Sequence, residues 1–236
     1  MTAIENSPLR ASRIAAFWYL GLAVFGAYGI LGANAHFLVP GDAVATAALI
    51  RADGLLFRIG IASNLVAQVC FLFAGLAFYR LFVTVNKPVA LTLVALVVAA
   101  VPIDFLNTVF RFAPLVLLGD TPYLRVFDPG QLQALALFFL KLQDYGTDIV
   151  GIFWGLWLFP LGLLTWQSKF LPKVLGALLV VNGLTYVVDS LLIMVFPDVH
   201  VLFLPVTTVL QIIGEIPFLL WLLVRGARSR PEKFVT

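Results

Sequence analysis

The chain has 236 residues, of which 62% are hydrophobic and 11% charged, and its mean hydropathy is +1.05. An ordinary soluble domain carries about a quarter charged residues, so this sequence could not cover itself with a polar surface in water, and lipid must be its solvent. The net charge of +3 comes from basic side chains at the ends of apolar segments, which encode topology and exclude a nucleic-acid patch.

Six apolar runs of about 20 residues can be read along the chain, roughly Ile14–Ala33, Leu55–Phe78, Val89–Phe112, Thr147–Trp166, Val174–Phe196 and Val201–Val224. Each must be helical, because backbone facing lipid satisfies its polar groups only in a helix or a closed barrel. The alternating period of a barrel is absent. Arg10 and Arg13 before the first run, with Ala33-Asn34-Ala35 after it, resemble a signal peptide. The run is too long for that, and the first helix is expected to be retained.

"PGDAVATAALIR", after the first span, predicts a short interfacial helix at about 42–51. "DPGQLQALALFFLKLQ" offers Asp128 as N-cap and Pro129 at the first helical position, predicting an outer helix at about 129–141. That helix either breaks at Gly146 or runs straight into the fourth span. With the N-terminus inside, 10 of the 15 basic residues fall on the inner side and 5 on the outer. Both termini are therefore expected in the cytoplasm, in a multi-pass protein of the bacterial plasma membrane. The expected fold is an all-α polytopic bundle of six transmembrane helices plus short outer interfacial helices, one domain over 1–236.

Polar residues inside spans mark functional places more often than they do in water. The first span ends at Asn34 and His36, and the second carries Arg58, Asn64 and Gln68. In the third, Asp104, Asn107 and Arg111 share one helical face. The fourth carries Asp144 and Asp148, with Tyr145 between them. Asn182, Tyr186 and Asp189 share a face of the fifth, and Gln211 and Glu215 are four apart on the sixth. Asp189 lies roughly 10 Å below the outer end of its helix at 1.5 Å per residue. Most of the others also fall in the outer half, which predicts a polar cavity open to the outside. The plainer reading is interhelical glue, with Arg58 or Arg111 neutralising an aspartate on a neighbouring helix.

Other features point to packing. Gly151-Ile-Phe-Trp-Gly155 allows close helix approach, Pro102, Pro160, Pro205 and Pro217 can kink helices, and aromatics such as Trp18, Tyr19, Trp157 and Trp221 suit interface anchors or packing. The single Cys70 excludes an intrachain disulfide. Two histidines, His36 and His200, could jointly ligate a metal or haem, but their spacing gives no support, and no cofactor or metal is expected. Gly-rich phosphate loops, Ser-His-acid sets and doubled DxxxD patterns are not found in the sequence.

The order of several stretches resembles a bacterial membrane-protein family known as domain-of-unknown-function family 4386. They are "PGDAVATAALIRADGLLFRIGIASNL", "TVNKP", "DPGQLQALALFFLKLQDYGTDIVGIFWGLWL", "SKFLPKVLGALLVVNGLTYVVDS" and "GEIPFLLWLLVRG". The resemblance implies a six-helix inner-membrane protein without an assigned activity, and directs interest to Arg58, Tyr145, Asp148, Tyr186, Asp189 and Glu215. Where such proteins often show an aspartate, this chain has Asn64.

Three functions compete. In the first, an acid-rich cavity lined by Arg58, Asn64, Asp104, Asn107, Arg111, Tyr145, Asp148, Tyr186, Asp189, Gln211 and Glu215 binds a small amphiphilic or lipid-like molecule. A catalytic version would use Asp189 or Glu215 as general acid and Arg58 to hold an anionic group. In the second, the chain is an accessory subunit of a membrane complex with a membrane-protein partner. In the third, it is a proton-coupled transporter, against which the lack of repeat symmetry and of a polar path on the inner side both argue.

Overall fold

The computed structural model describes residues 8–32 and 36–227. Asn34, the Ala33–Ala35 stretch and the basic residues Arg228, Arg230 and Lys233 lie outside the described residues. The elements are α1 (Pro8–Gly26) with a π-helical turn at Ala27–Gly32, α2 (Ala43–Ala52), α3 (Gly54–Phe82), α4 (Lys87–Leu117) and a 3-10 turn at Pro122–Leu124. There follow α5 (Pro129–Leu156), α6 (Leu158–Gln167), α7 (Lys173–Val195) and α8 (Pro197–Val224). This is an all-α polytopic membrane fold, with no strand among the described residues. Among the described residues, five helical segments are long and apolar enough to cross a membrane: Gly54–Phe82, Lys87–Leu117, Pro129–Gln167 (α5 with α6), Lys173–Val195 and Pro197–Val224. At the first predicted span stands α1, 19 residues long and prolonged by its π turn.

Local chemistry sets several boundaries. Gly41 takes φ +78°, and Asp42 then caps α2 by accepting the Ala45 N–H at 2.9 Å. Asp128 precedes Pro129, and its own N–H is taken by Gln131 Oε1 at 3.0 Å, a capping-box contact. From there the chain runs unbroken through Gly146 to Leu156, so the outer segment at 129–141 and the start of the fourth predicted span share one continuous helix. The break comes at Trp157, because Pro160 has no N–H and its ring would strike the carbonyl of residue 156. Gly226, at φ +64°, ends α8 by donating to the Trp221 carbonyl at 3.0 Å.

The chain packs as two compact units. The first comprises 8–20, Cys70–Ala100 and 151–227; the second comprises Gly21–Val69 and Val101–Val150. In the first unit, small residues let α5, α6 and α7 approach backbone to backbone. A Cβ on Gly155 would lie 2.6 Å from the Gly183 carbonyl, one on Gly162 2.7 Å from the Gly176 carbonyl, and one on Gly151 2.5 Å from Ser190 Oγ. Lipid supplies no hydrophobic drive between helices, so such close van der Waals contact is what holds them. Beside it the rings of Tyr19, Phe78, Trp157 and Phe218 pack with centroids about 6 Å apart.

In the second unit, α2 presses Ile50 onto a cluster with Phe37, Phe57, Ile61 and Leu140, all nearly inaccessible. The π turn lies against α3 so closely that a Cβ on Gly29 would sit 2.6 Å from the Asn64 backbone nitrogen.

Candidate functional site

In the first unit, the acid that matters most is Glu215, on α8. Tyr19 of α1 donates its hydroxyl to Oε2, and Asn182 of α7 donates to Oε1 at 3.0 Å. The Tyr186 hydroxyl, one turn along α7, reaches the same carboxylate. Asn182 comes this close because Gly214 has no side chain: a Cβ there would lie 2.3 Å from the Asn182 Cβ. Tyr19 is 2% exposed and Asn182 fully buried, whereas Glu215 and Tyr186 keep partial exposure. Tyr19 is thus a buried donor to a carboxylate and not an interface anchor. Gln211 enters through its backbone carbonyl, 3.4 Å from Asn182 Nδ2, and not through its side chain.

Asp189 does not join Glu215's hydrogen bonds. Its Oδ1 lies 3.0 Å from Nε2 of His200 in the first turn of α8, off the line of a well-formed hydrogen bond. The contact ties the end of α7 to the start of α8 across the hairpin that Pro197 opens. His200 therefore faces an aspartate. His36, in the second unit, packs edge-on against Phe37. Among the described residues, no group of three or more His, Cys, Asp or Glu is placed to hold a metal.

The second unit has its own centre at Asp104 on α4. Asn64 of α3 donates to Asp104 Oδ2 and to Thr108 Oγ1, both at 2.9 Å. Asn107 donates to the Gln143 carbonyl at 3.0 Å and to Thr147 Oγ1 at 3.2 Å. It clamps α4 to α5 where Gly146 makes room: a Cβ on Gly146 would fall 1.8 Å from Asn107 Oδ1. Arg111, 1% exposed, donates to the Gly29 carbonyl in the π turn, and its charge acts on Asp104 and Asp144. Four buried amide oxygens here, on Asn64, Gln68, Asn107 and Gln143, meet no donor among the described residues.

The other predicted residues lie mostly nearer the surface. Arg58 and Tyr145 are exposed. Asp144 pairs with Lys141 at 3.3 Å, and Asp148 is partly exposed. Of two surface grooves, one lies on α1 and the other runs between α4 and α5 over Ile103, Leu106 and Phe110; neither takes in Asp189 or Glu215. Sequence reading missed the roles of Tyr19, Thr108, Gln143 and Gly29. Tyr19, Thr108, Gln143 and Gly29 each meet a partner on another element, to which no spacing along the chain points.

Residues 14–226 match the family model described as Domain of unknown function (DUF4386), and the chain belongs to that family. An "Uncharacterized protein" from Archaeoglobus fulgidus is 33% identical over 81 residues, which are 34% of this chain and 46% of that protein. The chain thus matches less than half the length of that curated relative. No solved structure matches.

Proposed function

We propose that this DUF4386 member takes up a small amphiphile with a basic or hydrogen-bond-donating head group, at Glu215, from within the bilayer. The observation that carries this reading is the setting of one carboxylate. Glu215 is met by three neutral donors, on Tyr19, Asn182 and Tyr186. Among the described residues, no basic side chain pairs with it. A carboxylate within a span is costly without a polar or charged partner. Glu215, Tyr186, Gln211 and Asp189 all keep partial exposure along α7 and α8, so an amphiphile's head group can reach them laterally while its tail stays in lipid. The site is then a stripe on paired helices and not an enclosed outward-facing cavity. The bias of 10 basic residues against 5 supports cytoplasmic termini in the plasma membrane.

The test is native mass spectrometry of the full chain in mild detergent, with extraction and identification of what stays bound. The expected result is one amphiphile with a basic or hydrogen-bond-donating head group per chain, absent from Glu215→Gln and retained by Asp104→Asn. A wild-type protein carrying no such molecule, or a Glu215→Gln variant carrying the same one, would overturn the reading.

A further inference from the structure

We infer that Glu215 exchanges protons with water at one membrane face only, the face where α7 turns into α8, by way of Tyr186, Asp189 and His200. The inference shares its carboxylate with the reading above and holds without the amphiphile. At 1.5 Å per residue, His200 lies about 5 Å along α8 from that turn, and Asp189 and Tyr186 lie about 9 and 14 Å back along α7. Asn182, about 20 Å back, stands level with Glu215 and donates to it. The ionisable groups thus descend from the turn to the carboxylate. His200 Nε2 and Asp189 Oδ1 are 3.0 Å apart. Asp189 and Tyr186 are three apart on one face of α7, a spacing that puts their Cβ atoms about 5–6 Å from each other, and the Asp189 charge acts on Tyr186. The Tyr186 hydroxyl in turn reaches Glu215. Chains of acids and histidines in a span are what a proton relay requires.

Glu215 is about 14 Å from the other end of α8, yet that way is closed. Phe218, three residues beyond it, packs with Tyr19, Phe78 and Trp157, and none of the four rings is more than 2% exposed. Within this unit, the described segments 14–18, 71–78, 88–100, 151–167, 174–181 and 216–224 hold no titratable side chain. The other titratable groups on elements packed against the line are Tyr19 on α1, the exposed Asp198 in the first turn of α8, Asp148 three residues before Gly151 on α5, and Cys70 and Tyr79 on either side of 71–78 on α3. In one passage the protonated Glu215 gives its proton to the Tyr186 oxygen while the Tyr186 proton passes to the Asp189 carboxylate, directly or across one water. Asp189 then gives a proton to Nε2 of neutral His200, and the imidazolium releases one from Nδ1 to water. Glu215 has lost one proton, water has gained one, and every group between them is restored to its starting charge.

The experiment is an acid pH jump on the full chain in lipid nanodiscs, with infrared detection of the protonated-carboxyl stretch that Glu215→Gln removes. Wild type should gain this band rapidly. Asp189→Asn should reach the same final band roughly 10²-fold more slowly, and that final band shows that the variant is folded. His200→Gly should be slow as well, and imidazole added to the buffer should restore its rate, which a merely structural histidine would not allow. Asp104→Asn, in the other unit, should keep the wild-type rate. Sealed vesicles of each orientation then give the side: an acid step at the α7–α8 face should raise the band, and a step at the opposite face should not. Wild-type rates in Asp189→Asn and His200→Gly, a slow His200→Gly that imidazole fails to restore, a band that follows the opposite face, or a band that never forms would each overturn the inference. Absence of a bound amphiphile changes none of these outcomes, so this inference and the proposed ligand fail separately.

Discussion

Replacing Tyr19 with Phe is the sharpest probe of the Glu215 centre, because it removes one oxygen and little else. The Tyr19 ring is 2% exposed and wedged among Phe78, Trp157 and Phe218. Phenylalanine keeps those contacts and opens no cavity. What is lost is a hydroxyl donating to the carboxylate, and a hydrogen bond to a charged group is worth about 1.5–3 kcal/mol. At roughly 2–4 °C per kcal/mol for a chain of this size, the midpoint should fall by roughly 3–12 °C. The assay is thermal unfolding of the detergent-solubilised protein followed by far-UV circular dichroism. In a Glu215→Gln background the same change should cost only about 1 kcal/mol, since a neutral pair remains. The double-mutant cycle should thus give a coupling of roughly 0.5–2 kcal/mol. Equal costs in both backgrounds would refute the reasoning, because the hydroxyl would then be holding something other than the charge.

Two further outcomes test the packing that positions the centres. Gly162→Ala places a methyl 2.7 Å from the Gly176 carbonyl, so overpacking should cost about 1–3 kcal/mol in the same unfolding assay; a neutral effect would mean α6 and α7 can part freely. Gly146→Ala drives a methyl into Asn107 Oδ1 and should destabilise by a similar amount, about 1–3 kcal/mol. Adding Asn107→Ala should recover part of that loss, and strictly additive costs would show that the two residues do not meet.

Much of the fold was legible because lipid leaves so few choices. An apolar run of sufficient length must be a helix, and among the described residues five helices long and apolar enough to cross overlap predicted spans, the fourth of them starting well before its span at Pro129. Asp128 could be recognised as a cap because capping is local chemistry. The run through Gly146 was open from sequence, because a glycine inside a helix serves equally as a break or as room for a neighbour. Asn107, 39 residues earlier in the chain, makes it the second. Shared faces were legible for Asn182 and Tyr186, which do converge on one carboxylate. The same spacing puts Asp189 on their face without making it a partner of Glu215. One turn further along α7, it meets His200 instead. Tyr19 could not have been found: its partner is 196 positions away, and a tyrosine in a span reads equally as an anchor.

Glu215 and Asp104 both accept from neutral donors, and this bears on which contact a ligand could replace. Burying a full ion pair desolvates two charges, and their attraction often fails to repay that. Neutral donors desolvate only one. Glu215 meets two phenols and an amide, and Asp104 meets the Asn64 amide. In the Glu215 set, Tyr19 and Asn182 are buried and locked by aromatic packing and by Gly214. They cannot swing away without breaking the contacts of α1 and α8. Tyr186 is the partly exposed member. Under the proposed reading its hydroxyl is the contact that a head group would replace, while the buried pair keeps the carboxylate aimed.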